Sequence, residues 1–454
     1  MKSNFRQVIL PLNLEIKISD MDPVRLLNDI CDQLDYSNLY KTYYRTWRKY
    51  DPVTLFKILV YGYMNGKYSC RDLENACKRD IYFMWLLNGM QVPDATTFAR
   101  FQNEKLVEVI EDLFYQLINK LAELKEIKFE NIFVDGTKIE ANANKYSFVW
   151  KKAIEKYSVK LTQKTQDKLA EIKVKYGLNE QLELQDCIKL LTQQARLQRV
   201  TFVYGTGKHK SQLQKDIEYL TETAKKQGEY GKYLRLMGED RNSLSKTDPD
   251  ATFMHLKEDH MRNGQLKAAY NIQMGVESEY IVGIGSYTDR TDVQTLVPFL
   301  ERMRKHTGKS YKNVIADAGY ESEENYTYLN EHNQTSYIKP TNYEISKTRK
   351  YKTNAFRIED MSYDKETDTF TCVNGEKLFF AYKTESKTKN GYVVEHRRYR
   401  TKSCTQCPYK DKCYKSKNDY KEIKVSLRFL EQRKESLENI ISEEGTKLRM
   451  NRSI

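Results

Sequence analysis

Long hydrophobic runs are missing from this sequence. Its longest clearly apolar stretch, Ile81 to Leu87, is far shorter than the roughly 20 residues that cross a bilayer as a helix. Mean hydropathy is −0.76 and 39% of residues are hydrophobic. The N-terminus, Met1 to Leu10, lacks a sustained apolar segment followed by a small-residue cleavage site, so no secretory signal is read there. These absences predict a soluble cytoplasmic protein with no membrane partner. Histidine is scarce, with six in 454 residues, and His255 and His260 miss the i, i+4 spacing of a helical metal pair. Histidine chemistry is therefore not expected. The eight cysteines, without a secretory signal, do not suggest a disulfide framework. Cys31, Cys70, Cys77 and Cys187 are scattered and read as ordinary reduced residues.

Acidic residues are outnumbered, 63 against 76 Lys and Arg, for a formal charge of +13. A basic surface favours a polyanion, because neutralising phosphates releases condensed counterions. Charge alone does not separate nucleic acid from acidic substrates or a membrane surface. A chain of 454 residues has room for two or three domains.

Local punctuation is strong in the first quarter. Asp51 followed by Pro52 predicts a helix start, with Leu55, Phe56, Ile58, Leu59 and Tyr63 on its buried side and Gly66 at its end. Ser69 to Asp72 fits a capping box for a short helix to about Lys78. Another short helix runs from Ile81 to Asn88 and is stopped by Gly89. Val92-Pro93-Asp94 opens what reads as one long helix, with Phe98, Phe101, Val109, Leu113, Leu117, Leu121 and Leu124 on one face. Such a helical module suits DNA binding and simple packing or dimerisation equally well.

From Asn131 the pattern changes. Asn131–Asp135, Tyr270–Glu277, Tyr280–Tyr287, Asn313–Asp317 and Thr335–Lys339 read as strands, the second and third joined as a hairpin across Ser278-Glu279. Helices are expected from a Thr291 cap to about His306 and from Glu321 to Glu331. This order is that of an α/β, RNase H-like mixed sheet with helices on its faces. In that fold the first and fourth strands are neighbours. Asp135 and Asp317 each close an apolar run, so the topology would set them side by side, able to share a divalent metal as phosphoryl-transfer enzymes require. Taken singly, each is also an ordinary acid in a strand-to-loop turn. An insert from about Ala141 to Asp250, rich in Lys, Glu, Gln and Leu, reads as a helical hairpin or coiled-coil arm. Gly205 to Lys208 lacks the full spacing of a phosphate loop, and nucleotide binding is not expected.

Two segments then become specific. Val134-Asp-Gly-Thr-Lys-Ile-Glu-Ala-Asn142 and Ala316-Asp-Ala-Gly-Tyr320 resemble the first two acidic motifs of bacterial insertion-sequence transposases of the DDE class. Asp248 to Ala251, Gly264 to Asn271 and the stretch from Asp51 to Phe101, with Pro93-Asp94, match in order as well. The resemblance implies a DNA phosphoryl-transfer enzyme in which carboxylates hold Mg²⁺ or Mn²⁺. Asp135 and Asp317 would be the first two ligands and the catalytic acids, while Lys138, Asn142 and Tyr320 lie near enough in sequence to position DNA. It implies three regions: a helical DNA-binding domain at 1–126, a catalytic core at 127–340 with its insert at about 141–250, and a basic, cysteine-bearing region at 341–454. Duplex DNA, comprising the element's ends and its target, would be the partner, with self-association on that DNA and a place on the nucleoid. In the family the third acid is a Glu on a helix just past a segment resembling Glu443 to Ile454, so the sequence is expected to stop short of it. Glu431, Glu435 and Glu438, on a helix from Leu427 to Ile441, read as a solvated charged face instead.

The C-terminal region carries Cys372, Cys404, Cys407 and Cys413, whose spacing admits either a structural Zn²⁺ site or reduced thiols. Around them Arg397, Arg398, Arg400, Lys402, Lys410 and Lys412 alternate with Tyr399, Tyr409 and Tyr414, a pattern suited to phosphate contact and base stacking. A second basic run comprises Lys347, Arg349, Lys350, Lys352 and Arg357. Two rival functions remain alongside transposition: a catalytically silent DNA binder that inhibits it, and a nuclease of RNase H-like fold.

Overall fold

The computed structural model describes residues 14–43, 49–144, 147–205, 209–239, 241–256, 264–353 and 356–451. The phosphate-loop fragment at 206–208 and His260 lie outside the described residues. The chain divides into two compact units: residues up to Glu130 with the segments Glu277–Val282 and Glu301–Ser310, and everything else.

The first unit is a set of short helices whose ends follow their caps. Asp51 accepts from the Thr54 amide at 2.8 Å and starts the helix Pro52–Met64. Ser69 accepts from the Asp72 amide at 3.1 Å and donates to its carboxylate at 2.7 Å, which starts Cys70–Arg79. Ile81–Leu87 ends at Asn88, which is in the left-handed region with φ 47°. Leu55, Ile58, Leu73, Phe83, Phe98 and Phe101 fill the core between them.

The long helix expected after Asp94 is broken. Ala95–Arg100 passes into a π-helical turn, Phe101–Lys105, then a 3₁₀ turn, Leu106–Glu108, before the helix Ile110–Glu123. The reason lies in the spacing. Phe101 and Leu106 are both buried but five apart, and an α-helix would rotate them away from each other. A π turn, with the Leu106 amide on the Phe101 carbonyl, brings both inward. The last helix consequently buries Leu113, Tyr115 and Ile118, whereas Leu124 is exposed. Glu277 closes this unit, its carboxylate accepting from the amides of Lys128, Phe129 and Glu130 at 3.2 Å each.

The second unit is built on a sheet. Strand β1 runs Asn131–Glu140, and β2 (Phe148–Trp150) pairs with β3 (Ser243–Ser245) at the base of the insert. The insert is a three-helix arm, Lys151–Tyr176, Leu184–Leu197 and Gln212–Met237, where a helical hairpin or coiled coil was expected. Ile172, Cys187, Leu191, Leu213 and Leu220 form its core, and buried Asp216 joins Lys175 at 2.6 Å to Tyr176 at 2.9 Å. Strands β4 (Thr252–His255), β5 (Leu266–Glu277), β6 (Tyr280–Tyr287), β7 (Asn313–Ala316) and β8 (Thr335–Ile338) complete the main sheet. Its order is β4-β5-β1-β7-β8, with β6 also paired to β5. Strand β5 is antiparallel to β1, while β1, β7 and β8 are parallel. The hairpin turn is made by Ser278 and Glu279 at positive φ, 50° and 68°, the twist a two-residue turn needs. The result is a mixed α/β, RNase H-like fold.

A second sheet occupies the C-terminal region: β9 (Ser362–Asp364), β10 (Thr369–Thr371), β11 (Lys377–Lys387), β12 (Val393–Thr401) and β13 (Glu422–Val425), ordered β13-β12-β11-β10-β9. Helices Leu427–Ile441 and Glu443–Asn451 follow. Ser436 hydrogen-bonds the Ile338 carbonyl at 2.9 Å and Ser336 at 3.1 Å, tying the first of these helices to β8.

Candidate active site

The register of β1 against β7 determines the site. Asn131 pairs with Asn313 and Val134 with Ala316, and the two Asn side chains share a hydrogen bond at 2.8 Å. One residue further along each strand stand Asp135 and Asp317. Residues separated by 182 positions thus become lateral neighbours. Asp135 was expected at a strand exit, but β1 continues to Glu140 because β5 pairs with it that far. What ends at Asp135 is the parallel pairing, so the acid lies where β1 loses its β7 neighbour. Asp317 follows the last residue of β7 and accepts from the Gly319 amide at 2.8 Å, capping a 3₁₀ turn, Ala318–Tyr320. Asp135 is exposed and Asp317 half-buried.

Side chains alternate across β1. Ile132 and Phe299 both pack close over Gly275, and Val134 and Gly136 share the Ile132 face of β1. Phe133 lies on the opposite face, where it clusters with Ile315, Tyr337 and Leu448, and Asp135 shares that face. The helix Glu443–Asn451 therefore lies over the acid face. Burial, and then Glu444 beside it, pushes the Tyr337 phenol up.

Beneath the acids, on the Gly136 face, is a polar network that the sequence reading did not identify. Asn271 and Gln273 are fully buried on β5 and donate to Asp292 Oδ1 at 2.8 and 3.1 Å. Gln273 also donates to Asn271 at 3.0 Å and accepts from the Tyr320 hydroxyl. The available signal was two amides at i and i+2 on the inward parity of an otherwise apolar strand. Tyr320 was expected near DNA; its side chain is fully buried in this network instead. Lys138 stays on β1, partly exposed, opposite Asn271.

The remaining acids and bases divide into those paired within the fold and those left exposed. Glu431, Glu435 and Glu438 are exposed on the side of their helix away from buried Ser436 and Ile440, and Glu431 pairs with Lys365 at 2.8 Å. The same helix is anchored by Arg433, which reaches Glu321 at 2.8 Å, Glu359 at 3.1 Å and Asn342 at 2.8 Å. Arg397 pairs with Asp368, and both Arg398 and Arg400 pair with Glu422, the former at 3.0 Å and the latter at 2.5 Å. Burial alone would raise the Asp368 carboxyl, but Tyr399, Tyr363 and Arg397 together hold it below the ordinary range. Lys402 lies over the Phe379 ring at 5.3 Å, Lys410 is 3.8 Å from Asp419, and Lys412 is exposed. In the second basic run Arg357 stacks on Tyr351 and pairs with Asp360 at 2.9 Å, and Lys347 pairs with Glu344 at 3.0 Å. Arg349, Lys350 and Lys352 are exposed.

Cys372, Cys407 and Cys413 line one cavity of about 20 Å³ with Lys421, whose ammonium donates to Cys413 at 3.0 Å and to the Phe356 carbonyl at 3.1 Å. Cys404 lies beside Thr401 at 3.1 Å. All eight cysteines are free thiols. Among the described residues no three Cys, His, Asp or Glu side chains gather closely enough to enclose a metal. No helix among them is long and apolar enough to cross a membrane.

An RNase H-like sheet with an acid just past the same end of both strands of its central parallel pairing is a framework suited to nucleic-acid phosphoryl transfer. Comparison with known families agrees. Residues 12–104 match a family model described as transposase domain (DUF772), and residues 241–405 and 371–454 match two described as transposase DDE domain. No curated protein and no solved structure matches. The chain belongs to the DDE transposases, a family of enzymes. Asp292 and Asp317 fall within the matched range, whereas Asp135 and the three-helix arm fall between the matches.

Proposed function

We propose that this chain cleaves duplex DNA at the inverted-repeat ends of an insertion sequence and joins those ends to target DNA, with Asp135 and Asp317 as metal-holding catalytic acids. The observation that carries the reading is the Val134–Ala316 register, which makes the two acids lateral neighbours. Two carboxylates are a sufficient protein contribution for Mg²⁺, which keeps several waters and completes its shell with substrate phosphate. When bound, such an ion stabilises negative charge on the attacking and leaving oxygens at phosphorus. Asp135 and Asp317 orient it, and Lys138, three residues on but on the other face of the strand, is partly exposed and offers a DNA phosphate contact beside the sheet. Lys402, Lys412 and the exposed bases at Arg349, Lys350 and Lys352 supply further phosphate contacts, and paired ends require at least two copies acting together.

The cysteine cluster supports a different conclusion. Cys413 is partnered by Lys421 and Cys404 by Thr401, so we propose reduced thiols there in place of the Zn²⁺ alternative. Zinc analysis after dialysis is expected to find well below one equivalent; a stoichiometric ion would overturn this.

A second reading has its own support. Glu431, Glu435 and Glu438 stand on the exposed side of their helix, Glu431 paired with Lys365, and none of the described residues adds a third acid to the pair, so a silent DNA binder that competes at the ends is the second reading. The test is incubation of the full chain with end-bearing duplex and Mg²⁺ or Mn²⁺. Cleavage that falls about 10²-fold or more in Asp135→Asn and Asp317→Asn supports the enzyme. Salt-dependent binding without cleavage supports the silent binder.

A further inference from the structure

The acid site rests on Asp292. This residue begins a 3₁₀ turn, Asp292–Gln294, that leads into the helix Leu296–Thr307. An acid there ordinarily serves the helix terminus. Here only its main-chain carbonyl does so, accepting from the Thr295 amide at 3.1 Å and hydroxyl at 2.9 Å. The carboxylate turns to the sheet instead.

Its placement there is closely determined. Oδ1 accepts from the fully buried amides of Asn271 and Gln273, and Gln273 is in turn held by Tyr320, which follows Asp317 by three residues. Oδ1 and the Gln273 amide nitrogen both sit 2.7 Å from where a Cβ on Gly136 would be, so any side chain directly after Asp135 would displace this network. Oδ2 sits 3.2 Å from the corresponding point on Gly319, and Asp317 Oδ1 is 2.9 Å from that same point. One carboxylate therefore packs against the segments that carry both catalytic acids, from the face opposite Asp135.

We propose that Asp292 is a positioning residue of the acid site. Through Gly136 and Gly319 it fixes the spacing of Asp135 and Asp317, and it adds a negative charge behind the cation they hold. The inference rests on the proposal that Asp135 and Asp317 bind a divalent ion. Groups one step removed from a metal commonly change its affinity by 10- to 100-fold.

The test is Mn²⁺ alone, titrated into the full chain and followed by loss of the free-ion electron paramagnetic resonance signal, with the melting temperature of each variant measured alongside. Asp292→Asn keeps an oxygen for Asn271 and Gln273 but removes the charge. It is expected to weaken Mn²⁺ binding about tenfold with an unchanged melting temperature. Asp292→Ala should weaken it further and also lower the melting temperature. If Asp135→Asn abolishes binding while Asp292→Asn leaves it intact, Asp292 is only structural and the inference is overturned. If wild-type binding is insensitive to Asp135→Asn, the metal reading itself fails, and this inference fails with it.

Discussion

The main sheet and the C-terminal sheet treat charged and polar side chains in opposite ways. On β1 and β7, acids far apart in sequence are made neighbours by a register that a partly buried Asn131–Asn313 hydrogen bond secures. On β12, Arg397, Arg398 and Arg400 are close in sequence, and each is matched by a carboxylate, from Asp368 or Glu422. The first arrangement gathers function that composition hides. The second neutralises charge that composition advertises. A run of basic residues is thus a poor guide to where free positive charge stands, whereas strand pairing is a good guide to which acids become neighbours.

The largest test of this contrast concerns the helix that joins the two sheets. Arg433→Ala leaves the buried Glu321 carboxylate without its cation and should destabilise the fold by about 3–5 kcal/mol, read from the denaturant midpoint. Next is the register itself. Asn313→Ala orphans Asn131 and should cost about 1–3 kcal/mol, with a matching loss of divalent-ion affinity if register sites the acids. An unchanged affinity would separate site from register. Third, Glu422→Gln releases Arg398 and Arg400. DNA binding should tighten and its log–log salt slope should steepen by about one to two. An unchanged slope would mean that these arginines do not reach DNA even when released.

The smallest effect is with pH. Asp368 is held below its ordinary range in the folded state, so its contribution is complete above the unfolded value of about 3.9. It disappears as pH falls through the depressed folded value. Asp368→Asn should flatten the acid limb of stability between those two values, as measured by thermal melts across pH.

Much of this was legible in the residues. Asp51, Ser69 and Asp94 cap the helices their sequence announces, and the β, hairpin, α, β, α, β order yields the sheet in which Asp135 meets Asp317. Other features required the third dimension. The π turn at Phe101 follows from a five-residue gap between buried side chains, a spacing that simple helical periodicity overlooks. Strand β1 extends past Asp135 because β5 supplies a partner about 130 residues away, which no local signal encodes. Asp292 looked like part of a helix start, and only the Gly136 and Gly319 contacts show where its carboxylate goes. The fates of Arg397, Arg398 and Arg400 depend on cross-strand neighbours and on Asp368, so their alternation with tyrosines suggested more free charge than the sheet leaves.

The central claim is that Asp135 and Asp317 hold one divalent ion together. Its most direct test is to bind Fe²⁺ to the full chain, add ascorbate and peroxide, and map where the locally generated radicals cut the backbone. The account predicts paired cuts near 135 and near 317, both lost in Asp135→Asn and both lost in Asp317→Asn. Cuts at only one of these places, or cuts that survive either substitution, would contradict it.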